Sequence, residues 1–147
     1  MRWWAWLLAL ALVPAVLALV NAAVLRLSIW CWWRARGRDV LLVYSDSPYW
    51  RNYVEENFLP RLGERAVVLN WSQRKTWRWS LARWAFYHFG GDREFNPLAV
   101  VFRPLRRTLV FRFWRPFRER QLGRADLLQQ MEREFFGAIG VSNKLDT

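Results

Sequence analysis

The sequence predicts an α/β protein with an N-terminal transmembrane helix followed by a small domain ordered βαβαββα. Three observations carry this. Residues 3–25 hold 23 consecutive positions without a charge. Val40-Leu41-Leu42-Val43-Tyr44 and residues 66–71 are short, β-branched and apolar, as strands buried on both faces are. Apolar residues at helical spacing lie between and after them. The expected division is residues 1–38 as a membrane anchor with a basic, aromatic juxtamembrane segment, and residues 39–147 as one domain.

Composition bounds the function. With 147 residues, the chain has room for one domain and an appendage. A hydrophobic share of 54% and an aromatic share of 18% exclude a long disordered tail. Cys31 is the only cysteine and His88 the only histidine, so no disulfide scaffold, metal site or cofactor is expected.

At ~1.5 Å per residue, residues 3–25 make a helix of ~35 Å, enough for a hydrocarbon core of ~30 Å. Pro14 is tolerated in such a helix. Trp3, Trp4 and Trp6 at one end and Trp30, Trp32 and Trp33 at the other have the placing of interfacial aromatic belts. A cleaved secretory signal is the competing reading, with Asn21-Ala22-Ala23 as the cut. Its apolar stretch would be only ~7–15 residues, and here apolar character resumes at 27–33. Arg26, Arg34, Arg36 and Arg38 outweigh Arg2, so the expected protein is single-pass in the cell membrane with a cytoplasmic C-terminal domain.

Within the domain, Ser47 suits an N-cap and Pro48 a first helical position, for a helix to about Leu62 that Pro60 kinks. Residues 74–89 are expected to form a second helix ended by Gly90-Gly91-Asp92. Residues 98–102 and 108–114 should pair as a hairpin across Arg103-Pro104-Leu105-Arg106-Arg107, with a loop after it and a closing helix over about 126–138.

In this order of elements, with Phe95-Asn96-Pro97 ahead of the third strand and Pro60 in the first domain helix, the chain resembles the thioredoxin-like fold superfamily over roughly residues 39–140. The resemblance implies a cis-proline at Pro97. It departs at one decisive place: where that family has Cys-x-x-Cys, this chain has Ser47-Pro48-Tyr49-Trp50, and the domain holds no thiol. Thiol–disulfide exchange needs a thiolate, so oxidoreductase chemistry is disfavoured. A Rossmann-like half, with a further parallel strand in place of the hairpin, is the alternative fold.

Candidate chemistry is sparse. Asp46 and Ser47 lie at the carboxyl end of the first strand, where α/β folds place ligands, although Ser and Asp are also ordinary capping residues. His88 and Asp92 match a bare HxxxD spacing, and a histidine closing a helix serves the last carbonyls equally well. The stronger signal is arginine: Arg outnumbers Lys 21 to 2, and residues 103–124 carry eight arginines against Glu119 alone. Such a skew follows from coding bias, from attraction to anionic lipid, or from nucleic acid, the last disfavoured beside a membrane anchor. Arg106, Arg107, Arg112, Arg115 and Arg118 are expected to face the bilayer, and Trp77 and Trp79 to meet the membrane or a protein partner. The function expected is a membrane-anchored, non-catalytic binding or scaffold protein. The alternative is a small membrane-associated transferase acting on a lipid-linked or anionic substrate.

Overall fold

The computed structural model describes residues 3–90 and 96–141. Helix α1, Trp3–Ser28, continues through a wider π-type turn, Ile29–Trp33, and a 3-10 turn, Arg34–Arg36. It ends where Gly37 takes φ +70°: Arg38 N–H bonds the Trp33 carbonyl and Gly37 N–H the Arg34 carbonyl, both at 2.9 Å. This pair of bonds needs a left-handed residue at Gly37, which glycine alone adopts without cost.

Four strands follow, β1 (Val40–Tyr44), β2 (Ala66–Asn70), β3 (Leu98–Val101) and β4 (Leu109–Arg112). They form one sheet in the order β2-β1-β3-β4, with β1 and β2 parallel and the other pairs antiparallel. The hairpin expected over residues 98–114 is therefore present, with Leu98 opposite Arg112.

The first domain helix differs from expectation. Residues 48–50 are a turn, and α2 comprises Arg51–Tyr53, a π-type turn Val54–Phe58 and Leu59–Leu62, end to end. Pro60 has no N–H to give the carbonyl four residues back, and the wider turn just before it relieves the clash of its ring there. The second helix is shorter than expected. Residues 71–76 form a 3-10 turn, 77–80 are irregular, and α3 is Leu81–Gly90. The predicted loop after β4 is instead a helix, α4 (Trp114–Gln121), and α5 is Asp126–Ala138.

The sheet is covered on both faces. Val40, Leu42 and Tyr44 of β1 point into a core with Phe58 of α2, Phe117 of α4 and Phe135 and Phe136 of α5. Phenylalanine rings dominate it: Phe58 meets Phe113 edge to face at 5.1 Å and stacks on Phe135 at 5.8 Å. Leu41 and Val43 point the other way, against Ala82, Ala85 and Phe86 of α3. Into this second core α1 inserts its own end. Leu25, Ile29 and Trp33, spaced four apart on one stripe, are buried there. The expected boundary at residue 38 thus cuts through a packed layer.

Outward from Leu25 the described leucine and valine side chains are bare. Leu12, Val13, Val16, Leu17, Leu19, Val20 and Val24 are all exposed. Among the described residues this helix alone is long and apolar enough to cross a membrane, with a mean hydropathy of 2.1 in an 18-residue window of the stretch Leu12–Arg36.

Candidate functional site

The carboxyl ends of β1 and β2 hold Asp46 and Ser47. Asp46 is committed to structure: its N–H bonds Ser72 Oγ at 3.0 Å, its carboxylate accepts from Asn70 Nδ2 at 2.9 Å, and Arg51 lies 3.4 Å away. Ser47 shapes the turn into α2, its carbonyl accepting from Arg51 N–H at 3.0 Å. Trp50 Nε1 bonds Ser45 Oγ at 3.1 Å. The Asn96–Pro97 peptide bond beside them is cis, and Pro97 passes its carbonyl to Phe113 N–H at 2.8 Å.

His88 is exposed on the last turn of α3, its ring 4.7 Å from that of Phe89. Asp92 lies outside the described residues. Among the described residues, no hydrogen bond or ion pair joins His88 to Asp46 or Ser47, so the structure does not assemble these groups into one constellation.

The two tryptophans part company. Trp77 is half-buried against the second core: its Nε1 bonds the Asn70 carbonyl at 3.1 Å and its ring meets those of Trp71 and Phe86. It is a packing residue, because its one polar atom is satisfied inside the fold. Trp79 is 78% exposed, 6.2 Å from Trp84, and these two with Leu81 face Ser28, Cys31 and Trp32 of the α1 extension across a groove of about 490 Å³.

The five arginines part company too. Arg106 and Arg107 lie in the β3–β4 turn. Arg112 is at the other end of β4, a strand-length of five steps or ~16 Å from Arg107. It reaches the Gly90 carbonyl at 2.9 Å, a cation on the final turn of α3. Gly90 itself is held close, since a Cβ there would sit 3.0 Å from Leu98 Cδ2. Arg115 and Arg118 belong to α4, with Arg118 stacked 5.3 Å above the Trp114 ring. Arg106 and Arg107 thus sit at the turn end of the hairpin, and Arg115 and Arg118 on the helix that follows β4.

What sequence reading missed is a cavity of about 660 Å³ between the foot of α1 and the β3–β4 turn. Arg26, Arg34 and Arg38 line one side, and Arg103, Arg106 and Arg107 the other. Its apolar walls are Leu27, Trp30, Phe102 and Leu105. The acid at its rim is Asp39, whose carboxylate is already gripped by Arg65 through two bonds, while Arg65 also donates to the Ile139 carbonyl at 2.9 Å. No spacing rule finds this site, because its two halves are some seventy residues apart in sequence.

A second cluster is buried on the opposite face of the sheet. Tyr53 OH donates to Glu132 Oε1 at 2.6 Å, Arg120 lies over the Tyr53 ring at 4.2 Å, and Arg61 lies over the Phe136 ring. Burial pushes the Glu132 carboxyl above its ordinary value, against the opposing pull of the Tyr53 bond and the two guanidiniums. Burial and the Glu132 bond push the Tyr53 hydroxyl up. The cluster reads as a satisfied core pair.

Comparison with protein-family models, with curated proteins and with solved structures finds no match to this chain.

Proposed function

We propose that the chain is a single-pass, membrane-anchored, non-catalytic binding or scaffold protein with a cysteine-less thioredoxin-like domain held against an anionic, cytoplasmic leaflet. The observation that carries this is the change in α1 at Leu25: the Leu and Val side chains from Leu12 to Val24 are exposed, whereas from Leu25 one stripe, Leu25, Ile29 and Trp33, is buried in the sheet's second core. Apolar surface of that extent is covered by something in a stable protein, and a hydrocarbon core fits its length. The strand order β2-β1-β3-β4 and the cis bond before β3 support the thioredoxin-like part. Trp30, Trp32 and Trp79 surround the helix where it would leave the bilayer, and six arginines gather at the same level. Asp46 is held by Ser72, Asn70 and Arg51 and makes no bond to His88 among the described residues, which gives the transferase alternative no support.

The test is fractionation of the full chain with a reporter fused at Thr147. The chain should resist alkaline extraction from membranes, keep its original N-terminus, and show the reporter on the cytoplasmic side. Release by alkali, an N-terminus at Ala22, Ala23 or Val24, or an external reporter would overturn it.

A further inference from the structure

The cavity at the foot of α1 is lined by arginines from α1 and its extension and from the β3–β4 turn, with apolar residues between them. We propose that it binds the phosphate of an anionic membrane lipid, whose acyl chains continue along α1. This rests on the membrane reading above and adds the ligand class.

Three features argue for it. Arg26, Arg34, Arg38, Arg106 and Arg107 have no side-chain partner among the described residues, and the rim carboxylate is taken by Arg65. Five unneutralised guanidiniums around one cavity favour a multiply accepting anion, and a phosphate suits their forked donors. The floor is apolar in the way a headgroup site needs and a free-phosphate site does not: Leu27 and Trp30 extend the bare surface of α1 into it. Leu105 supplies the third feature. It is fully exposed at the tip of the turn and is the one non-glycine residue with positive φ among those described, 54°. A leucine there is strained, and its apolar side chain gains nothing from water. Beside Leu27 it would instead touch acyl chain. Coding bias accounts for many arginines but not for their gathering with a strained, exposed leucine around one cavity.

The experiment places the full chain in nanodiscs of phosphatidylcholine, alone or with a minor fraction of phosphatidylglycerol, and counts retained lipid by native mass spectrometry. Preferential retention of phosphatidylglycerol is expected. Arg106→Gln with Arg107→Gln should lower it by about thirtyfold, from the attraction of two basic residues near an anionic surface. Arg115→Gln with Arg118→Gln removes equal charge at the far end of the sheet and should change it little. Equal losses in the two pairs would overturn the site in favour of diffuse charge. Displacement of the lipid by inorganic phosphate would overturn the lipid as ligand. A chain that fails to enter phosphatidylcholine discs overturns the membrane reading; one that enters but shows no preference overturns this proposal alone.

Discussion

Trp33, near the end of the long helix, meets Phe102, the residue after β3, edge to face with ring centroids 5.5 Å apart. Phe89 of α3 meets the same Phe102 ring at 5.5 Å. One aromatic thus joins the first helix to the last residues of α3, and the helix is fastened to the sheet by packed rings with no flexible joint between.

From this follows a prediction about boundaries. A chain beginning at residue 24 keeps Leu25, Ile29 and Trp33 and should fold, whereas one beginning at residue 39 strips that layer from Leu41, Val43 and Val100 and should expose an apolar face. Trp33→Ala in the full chain should cost ~3–5 kcal/mol, the range for a large aromatic removed from a core. Thermal unfolding in detergent checks both. A stable, monomeric 39–147 fragment would contradict it.

The buried pair gives a prediction about pH. The Glu132 carboxyl titrates higher in the folded chain than in the unfolded one, so its contribution to stability grows as pH falls through the raised value, and its charged form is a cost above it. Glu132→Gln keeps an oxygen to accept from Tyr53 and carries no charge. Its stability relative to the parent should be greatest at neutral pH and shrink toward the ordinary glutamate range of ~4.3. Denaturant midpoints at both pH values measure this, and a difference that does not vary with pH would refute it.

The clamp at the start of the sheet gives a third. Arg65 ties Asp39 on the approach to β1 to the end of α5 through Ile139. Asp39→Asn should cost ~1–3 kcal/mol, as expected for losing a charged hydrogen-bond partner. Arg65→Met, which removes the guanidinium and leaves Asp39 half-buried, should cost a similar amount. If either variant unfolds like the parent, the clamp is ornamental.

The strained turn gives a fourth. Leu105→Gly relieves the positive φ and should raise unfolding stability by ~1 kcal/mol. The same variant should retain less phosphatidylglycerol in the nanodisc assay. Gain in one measurement with loss in the other is the expected signature; no gain in stability would mean that the turn is relaxed as it stands.

Much of the fold was legible because period and punctuation agree. The two apolar runs at Val40–Tyr44 and residues 66–71 have no other stable use, and the alternation through Leu109 and Phe111 points to a hairpin face. Three features resisted. The span 74–89 has helical spacing, yet Trp71 and Trp77 turn back on each other and on Phe86, so tertiary packing overrides a weak local preference. Residues 114–121 look like loop because their charges hide the burial of Pro116 and Phe117. The basic cavity depends on contacts between residues near 30 and near 105, which no local pattern records. The split of Arg106 from Arg115 is hidden for the same reason, since sequence gives charge density but not the direction in which a strand carries it.

The linkerless passage of α1 into the second core also makes the protein a lever. Spanning helices tilt, by ~20° on average, to match the thickness of the bilayer that holds them. A domain on a flexible tether would ignore this. Here Leu25, Ile29 and Trp33 force the sheet to rotate with the helix, so a thinner or thicker membrane would swing the β3–β4 turn toward the leaflet or away from it. On the membrane reading proposed above, bilayer thickness and the position of the arginine turn would be mechanically coupled, and the angle of one helix would set the reach of residues seventy positions further along the chain.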